Sequence, residues 1–242
     1  MQNWQIIPGK WQDSPIDRCD HIITDPPYSA YVHSIDVDER PQSGPKSYGA
    51  LSRDDLADLV KRCLSVSSRW FIAFCALEQL GDYAAMAQNA YVRSGIYLKK
   101  NPMPQFSGDR PSVACEGIAI MHRPGAKKWN GGGRAGSWLH GHDTNEDRLH
   151  ETPKPLSLML ELIADFTDPG DLIWDPYCGS GTTGIAAIRL GRRFIGHELQ
   201  DRYVQISRER LIAESDNQTL RSRKTGQCPL FTGNDKGETK NG

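Results

Sequence analysis

Asp25-Pro26-Pro27-Tyr28 follows a short β-rich run, Asp20-His21-Ile22-Ile23-Thr24. A strand that feeds such a turn sets an acid, rigid carbonyls and an aromatic ring side by side. The prolines fix φ and remove two N–H donors, leaving carbonyls to accept hydrogen bonds. That grouping suits a planar base bearing an amino group, whose N–H donors meet the acceptors while the ring stacks on its face. The plainer reading is a proline-rich turn with a stacked tyrosine. A second stretch, Asp175-Pro176-Tyr177-Cys178-Gly179-Ser180-Gly181-Thr182-Thr183-Gly184, also follows a strand and opens a helix. Its glycines admit positive φ and close approach of a ligand, and the helix N-terminus offers N–H groups. The spacing is neither the GxGxxG of dinucleotide binders nor the ending of a P-loop. Gly196-His197-Glu198 ends a short strand in an acid about 20 residues on, the separation at which a carboxylate holds ribose hydroxyls in nucleoside-binding βαβ units. Alone, Glu198 would pass as a surface acid; with the glycine turn it predicts a nucleoside-cofactor site. A third stretch, His150-Glu151-Thr152-Pro153-Lys154-Pro155, reads as a helix start with Thr152 as N-cap and Pro153 at the first position.

The elements that must position these residues alternate between strand and helix. Strands are expected at Asp20–Thr24, Trp70–Cys75, Ile96–Lys100, Gly117–Met121, Leu172–Trp174 and Arg193–Gly196. Helices are expected from an N-cap at Ser52 with an acidic first turn, over Gln79–Val92, Pro153–Phe166, Thr182–Leu190 and Asp201–Ala213. Residues 29–51 and 122–149 read as loops. This alternation predicts a mainly parallel sheet covered on both faces, in a domain over residues 1–213, followed by a polar, flexible tail over 214–242.

Composition narrows the classes. In 242 residues, 29 Lys+Arg against 30 Asp+Glu leave a formal net charge of −1. A uniformly basic coat is excluded, while a local basic patch is not. A 38% hydrophobic content with 24% charged residues supports a packed core. No apolar run approaches ~18 residues, so no membrane span is expected, and the first residues carry no signal-peptide pattern. The six cysteines are scattered, without a CxxC pair, mostly in apolar stretches. They fit a reducing cytoplasm rather than a disulfide or metal framework. His140 and His142 flank Gly141 and precede Asp143, but with no cysteine nearby no metal is expected.

The ordered set Asp25–Tyr28, His150–Pro155 and Asp175–Thr183, with Ala186–Glu198 behind it, resembles the β-class of S-adenosylmethionine-dependent DNA amino-methyltransferases, the enzymes of restriction-modification, over roughly residues 6–213. The resemblance implies a Rossmann-like α/β fold, a mainly parallel seven-stranded sheet with helices on both faces and circularly permuted motif order. It implies that Asp175, Pro176, Tyr177, Gly179, Ser180, Gly181, Thr182 and Thr183 cradle the S-adenosyl-L-methionine. Glu198 would hold its ribose, and Thr152 with Lys154 would close the other side. One departure is Gly9-Lys10, where family members often have Gly-Asp, so the acid that would contact the cofactor there is missing. Asp25, Pro26, Pro27 and Tyr28 would be catalytic. Asp25 and the Pro26 carbonyl would hold the N–H groups of an exocyclic amine and localise its lone pair, with Tyr28 stacked on the flipped base. Asp rather than Ser at the first position favours adenine N6. A cytosine-N4 enzyme, a catalytically inactive DNA-binding relative, and an RNA or protein amide methyltransferase are the alternatives on this architecture.

A short target-recognition insertion is expected at about 101–149. Residues 99–134 hold seven Lys+Arg (Lys99, Lys100, Arg110, Arg123, Lys127, Lys128, Arg134) against two acids, 7 − 2 = +5, a charge suited to phosphates. A solvated loop is the plainer reading. Tyr31, His33, Arg40 and Lys46 are further candidates for DNA contacts. In the tail, Gln227-Cys228-Pro229-Leu230-Phe231 resembles the pentapeptides that dock on the bacterial sliding clamp. The sequence leaves the oligomeric state open.

Overall fold

The computed structural model describes residues 2–28, 50–141 and 154–216 of the chain. Eight strands, β1 (Trp4–Pro8), β2 (His21–Thr24), β3 (Trp70–Cys75), β4 (Tyr91–Lys99), β5 (Cys115–His122), β6 (Ser137–His140), β7 (Leu172–Asp175) and β8 (Arg193–Glu198), form one sheet in the order β1-β8-β7-β2-β3-β5-β4-β6. Pairing is parallel from β1 through β3 and between β4 and β6, while β5 is antiparallel to both its neighbours. Only β5 is therefore reversed. The sheet is mainly parallel as expected, and the described residues give it eight strands where seven were expected. The two not foreseen, β1 and β6, are its edges.

Five α-helices connect the strands: α1 (Arg53–Val66), α2 (Leu80–Ala87), α3 (Leu156–Phe166), α4 (Thr182–Arg189) and α5 (Asp201–Ser215). β3 shows why the sheet needs cover on both faces. Its Trp70, Ile72 and Phe74 pack in one core cluster with residues of α3, α4 and α5, and its Phe71, Ala73 and Cys75 in another with α1 and α2. Alternate side chains point to opposite faces, and all six are buried. α1 starts as predicted, with a capping box in which Ser52 accepts from the Asp55 N–H and Asp55 accepts from the Ser52 N–H. The expected Gln79–Val92 helix is shorter, ending at Ala87, because Tyr91 and Val92 already belong to β4. α3 begins at Leu156 with Pro155 at its cap, later than the sequence suggested, and α5 runs two residues past Ala213.

The connections create the site. β2 passes through α1 to β3 on one side, and β7 passes through α4 to β8 on the other, although β2 and β7 are neighbours. Where connections diverge, a crevice opens beyond the carboxyl ends of the strands. Asp25 leaves β2 there, and Asp175 closes β7.

Candidate active site

The turn after β2 is braced from three other parts of the chain. Lys154 Nζ donates to Asp25 Oδ2 at 2.5 Å and lies 3.0 Å from Glu116 Oε2. Lys99 Nζ stands 2.9 Å from Glu116 Oε1, and the Tyr28 hydroxyl donates to Glu116 Oε2 at 2.9 Å. Lys154 also rests over the Phe74 ring, 4.9 Å from its centroid. Asp25 keeps 33% of its side chain open, against 13% for Glu116 and Lys154 and 17% for Lys99. Desolvation pushes the Asp25 carboxyl up, and the Lys154 ammonium opposes it. At Glu116 burial also pushes up, but Lys154 and Lys99 outweigh it and bring the carboxyl down to about 2. Lys154 is held charged by Asp25 and Glu116 against its own burial. The turn thus presents a carboxylate, a tethered phenol ring and prolines that cannot donate.

The turn after β7 is satisfied mostly from within. Asp175, buried, takes the Tyr177 N–H on Oδ1 at 3.0 Å and the Thr183 hydroxyl on Oδ2 at 2.7 Å. Desolvation outweighs these bonds and raises its carboxyl to about 6. Gly181 sits at φ +84 as the residue ahead of α4, a conformation that admits glycine readily. Glu198 receives the Gly179 N–H on Oε2 at 3.0 Å and the Gln200 N–H on Oε1 at 2.8 Å. Arg210 of α5 fastens the outside of the turn, donating to the Ser180 carbonyl at 2.8 Å and the Ser180 hydroxyl at 3.0 Å. Trp11 donates to the Tyr177 hydroxyl at 2.7 Å, directing that ring to the α1 side. β1 enters the same corner: the Gly9 N–H donates to the Glu198 carbonyl at 2.9 Å, with Lys10 next to it exposed. Glycines at a helix N-terminus, and an acid at the end of the adjacent strand, have the donors and acceptors that an amino-acid moiety and a ribose require.

The structure brings Asp25–Tyr28, Asp175–Thr183 and Glu198 to one end of the sheet. Lys154, expected on the cofactor side, contacts Asp25 of the β2 turn. Thr152 lies outside the described residues, as do Tyr31, His33, Arg40, Lys46, His142 and Gln227–Phe231. Glu116 and Arg210 were not anticipated, for their partners lie far away in sequence.

The seven basic residues do not form one face. Because β5 is reversed, its Cys115–Glu116 end lies beside Asp25, while His122 pairs with Trp70 at the start of β3. Arg123, Lys127 and Lys128 therefore leave the opposite end of the sheet. Lys128 is paired with Asp168 at 2.7 Å, and Arg134 is held by Glu161 and Asp165 of α3. Lys99 belongs to the Glu116 cluster. Lys100 and Arg110 remain exposed on the segment that leaves the Asp25 end of the sheet, Arg110 beside Asp109 at 2.9 Å. The expected insertion at 101–149 is likewise divided, since β5 is a core strand and β6 the sheet edge. His140 is engaged by Ser157 and Glu161.

A family model described as DNA methylase, named for N6 and N4 methyltransferases, matches residues 19–209. The chain is 51% identical over 67 residues to the type II methyltransferase M2.DpnII of Streptococcus pneumoniae, covering 28% of this chain and 25% of that protein. It is 28% identical over 172 residues to the type II methyltransferase M.HinfI of Haemophilus influenzae, covering 62% and 48%. It thus spans less than half the length of these curated relatives. The crystal structure of an M1.HpyAVI–SAM complex superposes with a TM-score of 0.67 at 25% identity, covering 86% of this chain and 98% of that one. No helix among the described residues is long and apolar enough to cross a membrane.

Proposed function

Because the chain belongs to this DNA methylase family, we propose that it transfers a methyl group from S-adenosylmethionine to the exocyclic N6 of an adenine flipped out of DNA. The observation that carries this reading is the juxtaposition, at the divergence of β2 and β7, of the Asp25 turn with the glycine turn and Glu198. The cofactor supplies an electrophilic methyl on a sulfonium. The glycine turn and the α4 N-terminus would hold its amino-acid end, and Glu198 its ribose.

An exocyclic amine attacks poorly because its lone pair is conjugated with the ring. Asp25 accepts one N–H and the Pro26 carbonyl the other, which localises the pair. The carboxylate also stabilises the positive charge that grows on nitrogen. Holding donor and acceptor in line supplies much of the remaining acceleration. Tyr28, tethered through its hydroxyl, offers its ring face to the flipped base. An acid at the first position of the turn favours adenine over cytosine. Lys100 and Arg110 at the catalytic end are the better placed of the basic residues to meet phosphates.

Radiolabelled methyl from S-adenosylmethionine should enter unmethylated bacterial DNA and not RNA or protein. Label in RNA or protein alone would overturn the DNA assignment.

A further inference from the structure

We infer that Glu116 and Lys99 are positioning residues for the catalytic turn, dividing the Lys154 ammonium and tethering Tyr28 so that Asp25 keeps an oxygen for the target amine. This rests on the role proposed above for Asp25. Among the described residues, the groups that face Asp25 are Lys154 ahead of α3, Glu116 of β5, Lys99 of β4, Tyr28 of its own turn, Cys75 of β3, Tyr83 of α2 and Asp175 of β7. Cys75 is kept neutral, its thiol pushed up to about 12 by burial. Two acids, Asp25 and Glu116, therefore meet two lysines in contact, Lys154 and Lys99, and the cluster carries no net charge.

With Lys154 alone, Asp25 would face an undivided ammonium in a one-to-one ion pair. Such a carboxylate is over-stabilised and accepts weakly from a neutral amine. Glu116 takes a share of that ammonium at 3.0 Å, and Lys99 at 2.9 Å compensates Glu116 in turn. The same Glu116 oxygen holds the Tyr28 hydroxyl, so the stacking ring and the divided lysine are set by one carboxylate. Among the four ions Asp25 is the most open to solvent, and its Oδ1 accepts no hydrogen bond from a described residue. Of the four side chains, Asp25 thus offers the most accessible acceptor to an arriving amine.

The two positioning residues act on Asp25 with opposite sign, Glu116 raising its pKa and Lys99 lowering it. Turnover needs Asp25 ionised, so it is lost as pH falls through the Asp25 pKa. Single-turnover methyl transfer to unmethylated bacterial genomic DNA, at saturating S-adenosylmethionine and followed from about pH 9 downward until the parent's acid limb is covered, reads that limb. Glu116→Gln should move the acid limb to lower pH by about one unit and lower the plateau about tenfold. Lys99→Met should move the limb to higher pH by a similar amount. Cofactor affinity within a few-fold of the parent confirms folding, and either variant alone supplies a signed shift should the other fail to fold. Acid limbs that coincide with the parent's, or that move the same way in both variants, would overturn the inference. Asp25→Ala is the control for the underlying reading: its retained turnover would defeat the role of Asp25 itself, whereas an inactive Asp25→Ala with unmoved limbs defeats only that of Glu116 and Lys99.

Discussion

The turns that leave the neighbouring strands β2 and β7 are stiffened by opposite means. The β7 turn satisfies itself: Asp175 binds groups two and eight residues ahead, and Glu198 receives an N–H from Gly179, with Arg210 as an outer clasp. The β2 turn has prolines where donors would be, and its acid is held by Lys154, itself shared with Glu116. A self-satisfied turn gives a fixed shape for a cofactor that is the same in every cycle. An acid balanced against distant charges keeps a hydrogen-bonding oxygen in reserve for chemistry.

The comparison can be broken by showing that one turn does the other's work. The largest effect should come from Asp25→Ala, which removes the acceptor but leaves the glycine turn intact. Turnover should fall about 10³-fold or more while calorimetric affinity for S-adenosylmethionine stays within a few-fold. A matching loss of affinity would merge the two sites. Gly196→Ala should do the reverse. A Cβ there would come within 2.8 Å of both Cβ and Sγ of Cys178, pressing the glycine turn off β8. About 1–3 kcal/mol of stability should be lost in urea unfolding, with cofactor affinity down roughly tenfold. Arg210→Met, which strips only the outer clasp, should raise the KM for cofactor several-fold with a smaller change in kcat. An equal fall in kcat would place Arg210 closer to the chemistry than the geometry does.

The smallest effect concerns pH. Trp174 Nε1 can only donate, so its 3.0 Å contact to His197 Nδ1 needs a neutral ring, and desolvation holds the imidazole down at about 4. This bond ties β7 to β8 one residue before Asp175 and Glu198. A folded pKa below the unfolded 6.5 contributes stability that is complete above pH 6.5 and is lost as pH falls through it. Between pH 7 and 5.5 the loss should be about 1 kcal/mol. His197→Asn should show a flatter decline over that interval in denaturant midpoints, and an unchanged slope would remove His197 from the corner.

The same contrast decides what could be read from the sequence. The glycine turn, Glu198 and the Ser52 N-cap were legible because each is built by residues within about twenty positions, at separations with a backbone reason. Glu116, Arg210 and the pairing of Lys99 with Glu116 were not, because they are brought together only by sheet order and helix packing. The reversal of β5 was hidden for a different reason. A run buried on both faces carries no alternation and reads the same in either direction. That reversal separates Arg123, Lys127 and Lys128 from the Asp25 end of the sheet, which a charge count along the chain does not reveal. β1 and β6 escaped notice as short edge strands, one at the start of the chain and one behind a run of glycines.

The most direct measurement is mass spectrometry of the nucleosides released from unmethylated DNA after incubation with the protein and S-adenosylmethionine carrying a deuterated methyl. Deuterated N6-methyladenine is the predicted product, absent with Asp25→Ala. Labelled N4-methylcytosine would contradict the adenine assignment, and DNA without any labelled base would contradict methyl transfer by this pair of turns.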